Sequence, residues 1–202
     1  MGDRAQDVRG PQPTLSDAVV WLTHFTAADA VATGDFNLDE EHRRWFDQPP
    51  VDEDAASRRR HGEDVARLWM ESWSSGEQLD FAVRLSDDGE AIGMAELRPG
   101  PDASASISYA IRPAWRRMGY GSRAVRLLAE AGLERFGFVR IDLRCDVDNV
   151  ASARTAERAG FTFDRVERGA ETFEHIAEWA GEPRDERVYS LVAPAEGLGS
   201  GA

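Results

Sequence analysis

Hydrophobic and polar positions alternate along several short runs of this chain, and the alternation predicts strands. In the clearest run, Val139, Ile141, Leu143, Cys145 and Val147 are separated by charged residues. Residues at every second position lie on the same face of a strand, so this run has one apolar and one polar face. Runs of this kind predict strands over residues 19–23, 79–85, 91–97, 104–111, 139–147, 161–167 and 187–192.

Elsewhere hydrophobic residues recur every three or four positions, which is the spacing of one helix face. Val65, Leu68, Trp69 and Trp73 form such a stripe, and Gly76 is expected to end that helix. Further helices are predicted over residues 39–46, about 122–136 and 150–159. The charged segment 51–60 is expected to be a loop. Residues 168–185 are expected to form an insertion with a helical turn over 172–179.

The order of these elements predicts the fold class. A strand and helices come first, three strands follow, and strands then alternate with helices before two closing strands. A three-strand meander that leads into a strand–helix–strand crossover implies a mixed sheet covered by helices, in an α/β (α+β) fold. Residues 14–193 are expected to form one domain, with flexible tails at 1–13 and 194–202.

Composition excludes several functional classes. The net charge of −13 argues against nucleic acid as the main partner and mildly favours a cationic one. No run has the length and apolarity of a membrane span and no signal segment is visible, so we expect a cytoplasmic protein. All 24 basic residues are arginine, which excludes a lysine nucleophile. The four histidines are scattered and predict no metal site, and the single cysteine, Cys145, is expected to be buried.

A glycine-containing segment between a predicted strand and a predicted helix points to a ligand. Residues 115–122, called the glycine turn below, contain Gly119 and Gly121 in an Arg-x-x-Gly-x-Gly pattern. The first N–H groups of a helix have no partner within it and carry its positive dipole end, which suits a phosphate or pyrophosphate. The pattern alone also fits an ordinary strand-to-helix turn. Neither a P-loop lysine nor a suitably placed ribose-binding acid is present, which disfavours ATP and NAD.

Four motifs follow one another in residues 107–161: Tyr109-Ala-Ile-Arg-Pro113, Arg116-x-x-Gly119-x-Gly121, Asn149-x-x-Ser152 and Ala159-Gly-Phe161. In this order they resemble the acetyl-coenzyme A (acetyl-CoA) core of the GNAT family of N-acetyltransferases. The family's order of elements matches about residues 15–193. The Asn-x-x-Ser motif and the ending at 188–191 resemble the branch that includes ribosomal-protein N-terminal acetyltransferases.

The resemblance implies a mostly antiparallel central sheet of about six or seven strands and a position for the cofactor. The pyrophosphate of CoA would lie on the amides of residues 117–122. The pantetheine arm would lie between the strands at 104–111 and 139–147, which would splay apart, with the amide near Ile111 facing the thioester carbonyl. The cofactor-binding residues implied are Ile111, Arg112, Arg116, Arg117, Met118, Gly119, Tyr120, Gly121, Ser122, Asn149, Ser152 and Arg154.

The arginines among these residues have two interpretations. The guanidinium groups of Arg116 and Arg117 can pair with phosphate oxygens, or they can be solvated while only their backbone amides bind. Arg154 is either a contact for the adenosine phosphate or a surface residue.

Ser152 and Glu96 are the candidate catalytic residues. Asn149 is expected to cap the helix at 150–159, and by resemblance also to reach the pantetheine amides. Many family members use a tyrosine one turn after the Ser152 position, where this chain has Ala156, so Ser152, or a water it holds, becomes the expected proton donor to the leaving thiolate. Glu96 shares a predicted face with Ile92 and Met94 and is the candidate base, with a chain of waters as the alternative.

These observations predict an acetyl-CoA-dependent N-acetyltransferase in which a primary amine attacks the thioester directly. The amine would belong to a protein N-terminus or to a small molecule, selected by the N-terminal helices and the 168–185 insertion. The alternative is a CoA-binding sensor or partner-binding module without turnover. Dimers are common among similar proteins, so the resemblance leaves a homodimer open, and the sequence does not reveal the oligomeric state.

Overall fold

The computed structural model describes residues 11–29, 32, 36, 38–46, 54–170 and 183–194. Within these residues, eight strands form one mixed sheet. The strands are β1 (Leu15–Ser16), β2 (Trp21–Thr23), β3 (Leu79–Arg84), β4 (Gly93–Pro99), β5 (Ser104–Ile111), β6 (Arg140–Asp146), β7 (Thr162–Ala170) and β8 (Arg184–Val192). Their order across the sheet is β1-β2-β3-β4-β5-β6-β8-β7. Neighbours are antiparallel except β5 and β6, so the prediction of a mixed, mostly antiparallel sheet is confirmed.

The helices cover both faces of this sheet. The α-helices whose bounds the structure describes are α1 (Glu40–Phe46), α2 (Ala55–Ser75), α3 (Tyr120–Glu134) and α4 (Val150–Arg158). On one face, α3 and α4 pack on a core that includes Phe81, Leu97, Ile107, Leu143 and Ala156. On the other face, Ala82, Met94 and Ala110 form a second cluster with Phe36, and Phe46 of α1 and Trp69 of α2 pack against it.

The charged segment at 51–60 is not a loop throughout, because α2 begins at Ala55. Asp54 caps this helix: its carboxylate accepts the N–H groups of Ala56 at 3.4 Å and Ser57 at 3.0 Å. These bonds satisfy amides that have no acceptor inside the helix. The helix therefore starts directly after its cap, well before Val65, the first residue of the predicted apolar stripe.

The other predicted bounds agree with the structure to within a few residues at most ends. Strands β7 and β8 run further into the expected 168–185 insertion, to Ala170 and from Arg184. The helical turn predicted over 172–179 lies outside the described residues, as does most of each predicted tail.

Strands β5 and β6 separate along their length, as the resemblance implied. They pair in parallel from Ser104 opposite Arg140 to Ile107 opposite Leu143, and the pairing stops there. Yet β5 continues to Ile111 and β6 to Asp146. A gap therefore opens inside the sheet, between two strands whose carboxyl ends point the same way.

Candidate active site

A cavity of about 590 Å³ lies at the gap between β5 and β6. Tyr109 and Cys145 line it from the sheet face that α3 and α4 cover, whereas Ala110 and Arg144 line it from the opposite face. We call the first side, formed by the glycine turn, α4, Tyr109 and Cys145, the α4 wall. The α1 wall is the second side, and it is lined by Glu41, His42, Trp45, Phe46, Arg144, Arg184 and Glu186.

The glycine turn presents backbone amides at one end of the cavity. The N–H of Arg123 makes the first bond inside α3, to the carbonyl of Gly119 at 3.2 Å. The amides of Tyr120, Gly121 and Ser122 precede it, so helix geometry gives them no acceptor within α3. Together with the positive end of the α3 dipole, they form a site suited to an anion.

The two glycines of the turn serve different purposes. Gly119 has a φ of 86°, a left-handed conformation that side chains disfavour, and a Cβ there would meet no atom within 4 Å. At Gly121 a Cβ would lie 3.1 Å from Cε2 of Tyr109 and 3.5 Å from Cγ1 of Ile111. Gly119 thus sets the direction of the turn, and Gly121 lets α3 start directly against β5.

Three arginines of the α4 wall can add positive charge to this end of the cavity. Arg117, Arg154 and Arg158 line it, and none of them forms an ion pair within the described part of the chain. Arg158 lies one helical turn after Arg154, so both project from the same face of α4. The sequence analysis missed Arg158, although its i, i+4 spacing from Arg154 was a usable signal.

Arg116 is held by protein groups on all sides. Its Nε donates to the carbonyl of Ile111 at 2.8 Å, and its two terminal nitrogens pair with Glu41, at 2.8 Å, and with Asp39. These bonds connect the end of β5 to the start of α1. Of the two interpretations of this residue, the structure favours the one in which its side chain has a structural role and its backbone belongs to the turn.

Asp39 is a helix cap as well as a partner of Arg116. Its carboxylate accepts the N–H of His42 at 2.9 Å at the start of α1. Burial opposes ionisation of Asp39, but the hydrogen bonds from Arg116 and from the His42 amide outweigh it and lower its pKa. The carboxylate is therefore ionised at neutral pH and holds α1 against the cavity.

The amide of Ile111 points toward the gap. The N–H of the next residue, Arg112, donates to Ile92 on the β4 side at 2.9 Å. Backbone groups alternate along a strand, so the N–H of Ile111 is directed away from β4 and toward β6. A donor in this position can stabilise an oxyanion that forms in the gap.

Hydroxyl groups cluster where α4 begins. Asn149 caps α4, because its Oδ1 accepts the N–H of Ser152 at 3.0 Å, and Ser152 is only 8% exposed. The Ser152 and Thr155 hydroxyls lie close to the Tyr109 hydroxyl. Burial raises the pKa of Tyr109 more than these hydroxyls lower it, so its phenol stays protonated at neutral pH.

Tyr109 is a functional candidate that the sequence analysis did not single out for chemistry. It alternates with Ile107 and Ile111 and so has the pattern of a core residue. Only the tertiary structure brings its hydroxyl close to Ser152 at the start of α4. A tyrosine from β5 thus reaches the α4 wall in a chain that has Ala156 one turn after Ser152.

Cys145 is buried, as expected from its strand pattern, but it also lines the cavity beside Ser152. Burial raises the pKa of its thiol to about 11. The thiol is therefore protonated at neutral pH and is a poor nucleophile.

The α1 wall combines aromatic and charged side chains. The imidazole of His42 stacks between the rings of Phe36 and Phe46, with centroid distances of 5.2 and 4.4 Å. Burial lowers the pKa of His42 to about 4, so this ring is neutral at physiological pH. Glu186, which is 6% exposed, accepts a bond from Nε of Arg144 at 2.9 Å on the same wall. The N-terminal helices were expected to select the amine, and α1 contributes His42 and Phe46 to this wall, whereas Arg144 and Glu186 were not predicted.

Glu96 is not among the residues that line this cavity. It is buried in β4 opposite Asp80 and Ser108 on the two neighbouring strands. Its carboxylate accepts bonds from Gln78 at 2.6 Å and from Arg98 at 2.9 Å. Ile92, expected on its face, belongs to the opposite core. The structure therefore does not bring the two candidate catalytic residues together.

Three further sequence-predicted residues also lie outside the lining of this cavity. Arg112 points to the other side of β4, where it bonds to the carbonyl of Ala91 at 3.2 Å. The side chain of Met118 is 59% exposed. Tyr120 packs against the core and contributes its backbone to the start of α3. The remaining predicted residues line the cavity: Ile111, Arg116, Arg117, Gly119, Gly121, Ser122, Asn149, Ser152 and Arg154.

The described residues lack two features that would indicate other functional classes. None of the helices that the structure describes has both the length and the apolarity needed to cross a lipid bilayer. Within the same residues, no cluster of three or more His, Cys, Asp or Glu side chains could hold a metal ion.

Comparisons with known proteins agree with this geometry. An uncharacterized N-acetyltransferase, YjdG, of Bacillus subtilis is 34% identical over 77 residues, which cover 37% of this chain and 46% of that protein. The chain thus spans about half the length of this curated relative.

Solved structures show the same fold. RimJ of Mycobacterium smegmatis, in complex with CoA-disulfide, superposes with a TM-score of 0.74 at 19% identity, over 90% of this chain and 88% of that one. The microcin C7 self-immunity acetyltransferase MccE, in complex with acetyl-CoA and AMP, gives 0.73 at 20% identity over 93% and 100%. RimL, a ribosomal L7/L12 α-N-protein acetyltransferase, gives 0.71 at 17% identity over 90% and 94%.

The family model of the acetyltransferase (GNAT) domain matches residues 20–162 of this chain, from β2 to the start of β7. This range contains the glycine turn, the separated strands β5 and β6, and the cap of α4. The chain belongs to the GNAT acetyltransferase family.

Proposed function

We propose that this protein transfers the acetyl group of acetyl-CoA to a primary amine. The single observation that carries the proposal is the gap between β5 and β6, which has an anion site at one end and the Ser152 hydroxyl beside it. The amine would come from a protein N-terminus or from a small molecule. Support for the first comes from the ribosomal-protein acetyltransferases among the structural neighbours.

The residues of the cavity fit CoA. Six arginines and three carboxylates line it, although the whole chain carries a net charge of −13. The arginines are Arg116, Arg117, Arg144, Arg154, Arg158 and Arg184, and the carboxylates are Glu41, Asp146 and Glu186. When bound, acetyl-CoA supplies the activated acetyl group. The amides of residues 120–122 would hold its pyrophosphate, and Arg117, Arg154 and Arg158 would meet its phosphates.

The α4 wall is arranged to help the thiolate leave. The N–H of Ile111 can stabilise negative charge on the carbonyl oxygen. Ser152 can donate its proton to the departing sulfur, and Tyr109 or a water can restore it, because the Tyr109 phenol is protonated and adjacent. Holding the amine beside the thioester accounts for much of the expected acceleration.

The test has two steps. Acetyl-CoA is first titrated into the protein by calorimetry, and saturable binding is expected; no binding contradicts the proposal. Release of CoA thiol is then followed with a panel of amines that includes peptides with free N-termini, the same peptides with blocked N-termini and an internal lysine, and small amines. Binding without thiol release from any member would instead support a CoA-binding module without turnover.

A further inference from the structure

The proposed reaction requires that the acceptor amine lose a proton before it attacks the thioester. Peptide α-amines have pKa values of about 8 and alkyl amines of about 10, so most acceptor molecules arrive protonated at neutral pH. An ammonium group cannot attack a thioester until it loses a proton. Glu96 lies outside the cavity lining, and His42, with a pKa of about 4, is a weak base.

Three carboxylates line the cavity, and their surroundings differ. The side chain of Glu41 is 55% exposed and pairs with Arg116. Asp146 is the last residue of β6; its side chain is 19% exposed, and its carboxylate accepts the N–H of Asp148 at 2.7 Å. Glu186 also belongs to the sheet and is buried. Among the cavity-lining carboxylates of the described residues, Glu186 is therefore the one in which position and burial are both fixed by the fold.

The sheet register places Glu186 at the level of the gap, one strand beyond β6, where it lines the cavity. It lies on β8 opposite Asp146, which is beyond the point where β5 and β6 stop pairing. Arg144 shares its face of the sheet and holds its carboxylate through Nε at 2.9 Å. This face is opposite to the one that carries Cys145 and α4. A group here can act on an amine that enters from the side opposite Ser152.

We infer that Glu186 is the carboxylate that binds the acceptor's ammonium group and removes its proton. The inference rests on the proposed acetyl transfer. The carboxylate takes one proton from the ammonium and becomes a carboxylic acid, and the freed nitrogen lone pair forms the C–N bond. The C–S bond then breaks, and its electron pair leaves on sulfur, which takes a proton from the α4 wall. The second proton of the new amide nitrogen is lost to solvent.

Several other charged groups surround Glu186. Arg144 and Asp146 face it from β6, Glu167 pairs opposite it on β7, and Arg184 and Arg187 flank it on β8. Glu41 and His42 line the cavity from α1. Arg144 also binds Glu167 at 2.8 Å, so a change at either carboxylate disturbs the same arginine. This shared partner provides a matched control.

The experiment compares Glu186→Gln with Glu167→Gln. Both remove one carboxylate partner of Arg144, but Glu167 is 40% exposed and does not line the cavity. With a primary amine that the wild type acetylates, we expect Glu186→Gln to lower kcat/KM about 100-fold at pH 7. Glu167→Gln should stay within about threefold, as expected for a surface ion pair. Acetyl-CoA affinity, measured by calorimetry, should be unchanged in both.

The pH dependence separates a base from a structural residue. A peptide α-amine is about one-tenth neutral at pH 7 and almost entirely neutral at pH 9.5. If Glu186 removes the proton, the deficit of Glu186→Gln should shrink at least tenfold over this range, because the amine then loses its proton to water. A deficit that stays constant with pH, or equal deficits in both variants, would overturn the inference.

Two further outcomes have defined meanings. If the wild type acetylates an amine and Glu186→Gln has the same kcat/KM at pH 7, only the role inferred for Glu186 is wrong. If the wild type acetylates no amine, the proposed function fails and this inference fails with it. If Glu186→Gln does not fold, Glu186→Asp replaces it. Aspartate keeps the negative charge, but its side chain is one methylene shorter and holds the carboxylate further from the amine. An unchanged kcat/KM would overturn the inference.

Discussion

The two walls of the cavity are built in different ways. The α4 wall takes its anion site from backbone amides at the start of α3 and its hydroxyl from the first turn of α4, each next to a motif in the sequence. The α1 wall joins Glu41, Arg144 and Glu186, which are far apart along the chain. A wall built from local turns is readable from the sequence, whereas a wall built from side chains of distant strands and helices is not.

The charge of the cavity lining differs from that of the whole chain. The net charge of −13 suggested a cationic partner, yet the cavity wall carries more arginines than carboxylates. Many acidic residues lie elsewhere on the surface, and their number hides a local basic site. Net charge describes long-range attraction and solubility, while the binding of a polyanion depends on the few residues that line its site.

The largest expected effect concerns Ser152, the proposed proton donor of the α4 wall. Ser152→Ala removes the hydroxyl beside Tyr109 and should lower kcat about 100-fold while acetyl-CoA affinity stays within about twofold. Steady-state kinetics and calorimetry measure the two quantities. Ser122→Ala is the control, because it removes a cavity-lining serine hydroxyl from α3 and should change kcat little. Equal losses in both variants would contradict a specific role for Ser152.

The next effect concerns the backbone of the α4 wall. Gly119→Val places a branched side chain at a φ of 86°, which costs about 1–3 kcal/mol and turns the amides away. We expect acetyl-CoA affinity to fall about tenfold or more. Gly160→Val is a matched control, since Gly160 has a φ of 95° and open space around it but lies outside the cavity lining. It should lower Tm without weakening binding, and a similar loss of affinity would show that strain alone explains both.

A smaller effect is expected from the arginines of α4. Arg154→Gln and Arg158→Gln should each raise the KM for acetyl-CoA about fivefold to tenfold, because each removes a charged phosphate contact. Comparing acetyl-CoA with its analogue that lacks the 3′-phosphate identifies the group contacted. If an arginine binds the 3′-phosphate, substituting it should not change the KM for the analogue. An undiminished effect would assign it to the pyrophosphate.

The smallest effect is on stability and concerns a region away from both walls. Burial, together with the neighbouring Glu96, raises the pKa of Asp80 from 3.8 to about 8. Between about pH 4 and pH 8, the Asp80 carboxyl is therefore protonated in the folded state but already deprotonated in the unfolded state. The contribution of Asp80 to the free energy of unfolding consequently falls as the pH rises through this range. Asp80→Asn keeps bonds to Ser72 and Gln78 available, and it should make the decline from pH 5 to 8.5 shallower in denaturant titrations.

Asp164→Asn is the control for that measurement. Arg140 lowers the pKa of Asp164, so the stability that this carboxylate contributes is lost only as the pH falls below its ordinary range. The variant should leave the pH 5–8.5 profile unchanged. If wild type and Asp80→Asn have the same profile, the pKa of Asp80 is not raised in the folded state.

The predicted elements show where the sequence was sufficient. Strand β5 has the predicted bounds, and the cap of α4 by Asn149 was foreseen, because alternation and capping depend on neighbouring residues. The start of α2 was misplaced because Asp54 lies in a charged segment with no apolar periodicity. The surroundings of Glu96 were predicted incorrectly. Its partners are Gln78, which precedes the neighbouring strand β3, and Arg98, near the end of its own strand, and no local pattern relates Gln78 to Glu96.

The sequence by itself determined the elements, the glycine turn and the helix cap that form the α4 wall, since short-range sterics and hydrogen bonds specify each of them. Only the tertiary structure decided which side chains face the cavity. The end of β5–β6 pairing opens the gap, α4 brings Ser152 to the hydroxyl of Tyr109, and β8 carries Glu186 to Arg144. These contacts join residues that no local pattern relates, because they depend on strand register and on the packing of helices across the sheet.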